Sequence, residues 1–319
     1  MKNFNAGECW LFNEGLAAVN IKNKWGYIDR EGRVVIEPQY THAFGFTEGL
    51  AAVEVDGKYG FINKDGRLVI PPKYYWANSF TEGLATVQAD DSYQIIDRDG
   101  AVVVTLDKAF TDVQVFSCGL AAVEVNSKKY GFIDTTGKMV IEPMFGFVTP
   151  FSDGLAIATI AEDEDEDEED ERDKKVKEEP KIGIIDTKGR FVMAPRYDEV
   201  ENYSEGVMPV KKDGRWRFVD NTGTDAVLLR EDFEYVYPLI EGRAIVLLGG
   251  KFGAIDKAGN LIIDAHFDNL CVFSDGLAYA RTGNTHGFIN TSGNFEFQKP
   301  VPKPTLMDIL KGQKSHLRW

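Results

Sequence analysis

Apolar residues in this chain come in short runs separated by polar breaks, and the runs come in threes. In one stretch "LAAVEV" (50–55) is followed by the break "DGK", the run "YGFIN" (59–63), a second break and the run "RLVI" (67–70). Runs of this length, bounded by glycine and aspartate, predict strands joined by tight turns. No window of the body keeps apolar residues at a 3.6-residue spacing over helical length, so the pattern predicts hairpins and no long helix.

The triplet is written eight times. "GLAAV" begins at Gly15, and variants of it begin at Gly49, Gly83, Gly119, Gly154, Gly206, Gly242 and Gly276. The spacings are 34, 34, 36, 35, 52, 36 and 34. An aromatic–glycine pair recurs in phase at Trp25-Gly26, Tyr59-Gly60, Tyr130-Gly131 and Phe252-Gly253. Weaker forms stand at Tyr93-Gln94, Ile182-Gly183, Trp216-Arg217 and His286-Gly287. Every copy then has Asp or Asn (Asp29, Asn63, Asp97, Asp134, Asp186, Asp220, Asp256, Asn290) and a glycine three residues later, Gly32 in the first copy and Gly293 in the last. That spacing predicts a turn. The Asx side chain accepts a backbone N–H two residues on, and glycine takes the position where positive φ is cheap. A proline follows the third run at Pro38, Pro72, Pro143 and Pro195 and is expected to close that strand. A crossing segment ending in "FxEG" adds a short fourth strand.

"KWGYID" (24–29), "KYGFIN" (58–63), "KYGFID" (129–134), "VVIEPQY" (34–40) and "FTEGLA" (46–51) together resemble the WG, or KWG, repeat family, found mostly in bacterial proteins. The resemblance covers about residues 7–297. It implies an all-β repeat protein used for binding and brings no shared catalytic residues. Copies three and six depart from it, with Gln94 and Arg217 in place of the glycine and no closing proline, so less regular blades are expected there.

Hairpins of this kind point to a β-propeller, with an open solenoid-like hairpin array as the alternative. Eight units fall within the roughly four to eight blades that propellers use. The small residues of "GLAAV" suit the innermost strand of a blade. The segment "CWLFNEG" (9–15) is placed to complete the last blade after "NFEFQ" (294–298), and 34 residues is short enough that some blades are expected to have three clear strands. The repeat body is read as residues 1–300, and 301–319 as a tail with a short helix starting near Thr305.

Charge adds one feature. The formal net charge is −15, and residues 162–179 carry 13 acids and 4 bases, a net of −9, which leaves −6 for the rest. A disordered acidic loop is expected at about 162–180, inside the fifth hairpin. No basic face exists to meet phosphate backbones, so nucleic acid is excluded as a partner. No apolar run approaches the ~18 residues of a membrane span, and "MKNFNAGECWLFNEG" lacks the apolar stretch of a secretory leader, so a cytoplasmic location is expected.

Candidate chemistry is sparse. Cys9, Cys118 and Cys271 form no CxxC pair or disulfide framework and read as reduced thiols. The four histidines lack metal spacing, and no nucleophile elbow or phosphate loop occurs. No catalytic residue, metal or cofactor is read. The residue before each "GLA" glycine is acidic (Glu14, Glu48, Glu82, Asp153, Glu205, Glu241, Asp275) except Cys118. This column is expected to accept backbone N–H bonds in its own turns, a cation site being the alternative. Off-column aromatics are the better binding candidates, namely Tyr75, Trp76, Tyr235 and Tyr237. The acidic run Glu162, Asp163, Glu164, Asp165, Glu166 and Asp167 is a candidate tether for a basic protein. The expectation is a monomeric, non-catalytic binding scaffold; the alternative is a hydrolase or lyase with a carboxylate-lined propeller cavity.

Overall fold

A computed structural model describes residues 11–125, 128–161, 182–230 and 232–300. None of these is helical, and among them no helix is long and apolar enough to cross a membrane. The acidic run and the tail beyond residue 300, with its expected helix, lie outside the described residues.

Each repeat forms one antiparallel sheet, a blade. In the second blade the order from the axis outward is an inner strand His42–Ala43, a second Leu50–Val55, a third Lys58–Asn63 and an outer Leu68–Tyr74. Blades three, six, seven and eight repeat this four-strand order, and three strands of blade one are described. Blades four and five share the long strand Met139–Val148, outer in one and inner in the next, which joins them into a seven-stranded sheet. The "GLAAV" strand is therefore second in the blade, and a strand as short as two residues takes the innermost place. Its alanines still serve close approach. Ala17–Ile21 is buried along its whole length, because neighbouring blades cover both of its faces.

The eight Asx turns form as expected. Asp29 Oδ1 accepts the N–H of Glu31 at 3.1 Å and of Arg33 at 2.8 Å. Gly32 N–H donates to Asp29 O at 2.9 Å, with Gly32 at φ 73°. The same two side-chain bonds recur in every copy, through to Asn290 with Ser292 and Asn294.

The glycine of the aromatic–glycine pair has a different reason. Tyr59 pairs with Tyr74 and Phe61 with Ile70, so residues 71–73 bulge opposite Gly60 alone. A Cβ on Gly60 would stand 2.5 Å from Ile70 O and 2.7 Å from Pro72 N. The proline thus sits in a bulge within the outer strand, and Tyr74 rejoins the ladder beyond it. Copies three and six lack both the glycine and the bulge. Gln94 pairs directly with Thr105, and Arg217 with Leu228. Their ladders across the third and outer strands are more regular, contrary to the expectation from their departing motifs.

The core is divided into eight slabs, one between each pair of neighbouring blades. Within them an aromatic of one third strand meets the aromatic that precedes the next "EG" turn: Tyr27 with Phe46 at 4.8 Å, Phe61 with Phe80 at 4.7 Å and Phe132 with Phe151 at 4.7 Å. Phe288 of blade eight meets Phe12 of blade one in the same way, at 4.8 Å. Around that pair Ala17, Val19 and Ile28 pack with Leu277 and Tyr279. An open array of eight units has seven internal interfaces; the eighth joins first to last, and the ring is closed. Closure is side by side. Blade eight is complete with Asn269–Leu270, Leu277–Thr282, Thr285–Asn290 and Phe295–Pro300, and the described residues of the N-terminal segment, from residue 11 on, contribute Phe12 to blade one and no strand to blade eight.

Because the closing junction is packed like the interior ones, Phe12→Ala and Phe80→Ala are each expected to lower the unfolding free energy by about 3–5 kcal/mol in urea titrations. A near-neutral Phe12→Ala beside a costly Phe80→Ala indicates an open array. Gly60→Ala is expected to cost about 1–3 kcal/mol by forcing the outer strand away, whereas Gln94→Ala, where no strand crosses so closely, changes stability by less than about 1 kcal/mol.

Candidate functional site at one mouth of the ring

Six of the seven acids of the column, all but Asp153, are structural, but they do not bond within their own turns. Glu48 and Gly49 both have positive φ, 51° and 78°, the two-residue turn that usually takes Asn-Gly. Glutamate is strained there, and its carboxylate reaches the next blade. The N–H of Gly49 donates to Glu14 at 3.0 Å, that of Gly83 to Glu48 at 3.0 Å and that of Gly119 to Glu82 at 2.9 Å. Gly242 donates to Glu205, Gly276 to Glu241, and Gly15 to Asp275 at 2.8 Å across the closing junction. Burial pushes the Glu14 carboxyl up, but the Lys64 ammonium and the Gly49 N–H outweigh it and hold the group below its ordinary value. No cluster able to hold a metal occurs among the described residues.

The other end of the ring carries the second-to-third-strand hairpins and the inner strands, and there the copies differ. Alternate side chains of the inner strands, Ala43, Ala77, Val113, Val148, Val236 and Leu270, are buried between blades. The residue before each of these is different every time: His42, Trp76, Asp112, Phe147, Tyr235 and Asn269. Trp76 is 41% exposed and Tyr75 53%. Trp76 stands edge-on to Phe44 at 5.9 Å and to Tyr59 at 5.6 Å, contacts across the boundary between blades two and three.

Tyr75 and Trp76 line an open cleft of about 590 Å³, with Asn78, Gln88 and Tyr93 from the same blade, Asp112, Val113, Gln114 and Val115 from blade four, and Pro150 from blade five. Side chains of three successive blades converge in this way because the blades crowd together near the axis. Asn78 Nδ2 donates to Thr86 Oγ1 at 2.7 Å and to Val113 O at 3.0 Å, and Tyr93 OH donates to Thr111 O at 3.2 Å. Burial, with the charge of Glu124 beside it, pushes the Asp112 carboxyl up. Gln114 Oε1 is buried and has no hydrogen-bond partner among the described residues.

Tyr235 and Tyr237 lie four blades away, across the axis. Their rings are 4.8 Å apart, and Tyr235 stands 5.1 Å from Trp216. Tyr235 OH donates to Glu201, whose carboxyl burial pushes up. The candidate aromatics therefore form two groups at one mouth, and only the first lines the cleft. Sequence reasoning missed Asp112, Gln114 and Asn78, and it read Tyr93 only as a weak copy of the repeat aromatic. Aligning the crossing segments would have exposed the variable column. The acidic candidates Glu162 to Asp167 lie outside the described residues; the chain leaves at Ile160 and returns at Ile182, at the hairpin end that holds the cleft.

A family model described as WG containing repeat matches residues 7–25, 25–59, 59–93, 95–128, 130–160, 182–216 and 252–285. The stretch between 216 and 252 escapes it and yet builds blade strands. No curated protein matches the chain. A crystal structure of the eukaryotic initiation factor is 12% identical with a TM-score of 0.60, over 94% of this chain and 90% of that one. BamB from Moraxella catarrhalis is 11% identical with a TM-score of 0.50, over 85% and 92%. At these identities the likeness is one of fold.

Cys118 has the same positive φ as the glutamates, 55°, and breaks the acidic series before Gly154. Cys118→Glu is expected to supply the missing bond and raise stability by about 0.5–1 kcal/mol in chemical denaturation. A destabilised variant would show that the carboxylate column contributes nothing at this junction.

Proposed function

This chain belongs to the WG-containing repeat family, and on that footing we propose that it is a non-catalytic scaffold, a cytoplasmic monomer that presents the variable mouth of its ring to a basic protein partner. What supports the reading is the division of labour among columns. The repeated positions are consumed by turns, bulges and inter-blade packing, and the positions free to differ gather on the inner strands at one mouth, where Trp76 and Asp112 line a cleft. Exposed Trp and Tyr beside carboxylates are the residue types that dominate binding energy in protein interfaces. The net charge of −15, concentrated at residues 162–179 and entering at the same end of the ring, favours a partner of opposite sign through long-range attraction.

Affinity capture tests this with three baits: wild type, a Tyr75→Ala/Trp76→Ala double variant, and a deletion of residues 162–179. The expected result is one set of basic partners held by wild type, lost from the double variant and captured more slowly by the deletion. Identical capture by all three, with each bait folded by circular dichroism, rejects the mouth as the binding face.

A further inference from the structure

Resting on that reading of the mouth, we infer that the cleft between blades three and four is a receptor for an arginine side chain carried on an extended segment of the partner.

The walls carry aromatic rings beside a carboxylate and amides. Trp76 and Tyr93 supply rings on which a planar cation can stack. The Tyr75 ring already has a cation over it, since Lys58 Nζ stands 2.8 Å from its centroid. Two donors of the lining, Asn78 Nδ2 and Tyr93 OH, are committed to protein oxygens. Gln114 Oε1 is buried with no hydrogen-bond partner among the described residues, and the Asp112 carboxylate accepts only the Val113 N–H. Glu124 stands opposite Asp112 on the next strand, accepting the Thr111 hydroxyl at 3.0 Å and adding a second negative charge. Among the described residues no cation forms an ion pair with Asp112.

A half-buried carboxylate with a like charge at its side, next to an unpartnered amide oxygen, favours an arriving donor. A guanidinium meets the whole set. It is planar and stacks on an aromatic face, and its fork of five donors can serve a carboxylate and a second acceptor together. An ammonium is a point charge that would satisfy the carboxylate without the stack. The cleft is open and runs from Tyr75 to Pro150 of blade five, so an extended chain can lie across it and send one side chain inward.

The test uses the full chain in isothermal titration calorimetry with an end-blocked pentapeptide, Gly-Ala-Arg-Ala-Gly, and its lysine and citrulline counterparts. The arginine peptide is expected to bind at least about tenfold more tightly than the citrulline peptide, and several-fold more tightly than the lysine peptide. Asp112→Asn, which keeps the side-chain shape, should weaken it about tenfold, and Trp76→Ala about fivefold, while Glu199→Gln on the far side of the axis leaves it unchanged. No binding of the arginine peptide, or equal binding of arginine and lysine that Asp112→Asn does not alter, overturns the inference. If the arginine peptide fails while Tyr75→Ala/Trp76→Ala still abolishes partner capture, the arginine assignment falls and the scaffold reading stands. If the peptide binds as expected but capture is unaffected by the double variant, the scaffold reading falls and the receptor stands.

Discussion

Every blade of this ring has two faces to cover, and the contact that covers them is the aromatic of one third strand set against the aromatic or leucine before the next "EG" turn. The pair is Tyr27 with Phe46, Phe61 with Phe80, and Phe132 with Phe151. Elsewhere the bulk is redistributed, with Phe218 packed alongside Leu239 and Ala254 alongside Phe273. A sheet of four short strands cannot bury its apolar surface alone. Stacked blades bury each other, but any open stack leaves one apolar face bare at each end. Phe288 on Phe12 removes both bare faces at once, so the stability of the first and last blades depends on the same contact that holds the interior ones.

The ring of carboxylate-to-glycine bonds reinforces that closure from a different chemistry. A glutamate in left-handed backbone is unfavourable locally, and a charge-assisted bond to the next blade offsets the strain. The bond from Gly15 to Asp275 joins the ends as the others join neighbours. The glycine–proline bulge answers a third demand. Three residues of the outer strand crowd over a single third-strand position, and only a residue without a Cβ leaves room for them.

These structural duties explain where the candidate binding residues are found. A column that turns the chain, bulges or packs between blades is the same in most copies. Trp76, Asp112, Phe147 and Tyr235 share one column of the inner strand, are partly exposed and have no common structural duty, so their chemistry is free to differ. The mouth therefore combines aromatic, acidic and amide groups in an arrangement without eightfold symmetry.

Strand identity, the eight copies and the Asx turns were legible in the residues, because each is decided by neighbours within about six positions. Tyr75 and Trp76 were legible as binding candidates because they stood outside the repeat. The partner of the acidic column was not, since Glu48 bonds Gly83, 35 residues on, and only the angle between blades brings them together. Nor was the place of "GLAAV" in its sheet, because small residues suit any crowded strand and a two-residue inner strand leaves little trace in a sequence. The local code alone determined the blade. Closure of the ring, and the meeting of Trp76 with Asp112 and Gln114 in one cleft, were decided by tertiary structure, because both depend on contacts between blades that no single repeat contains.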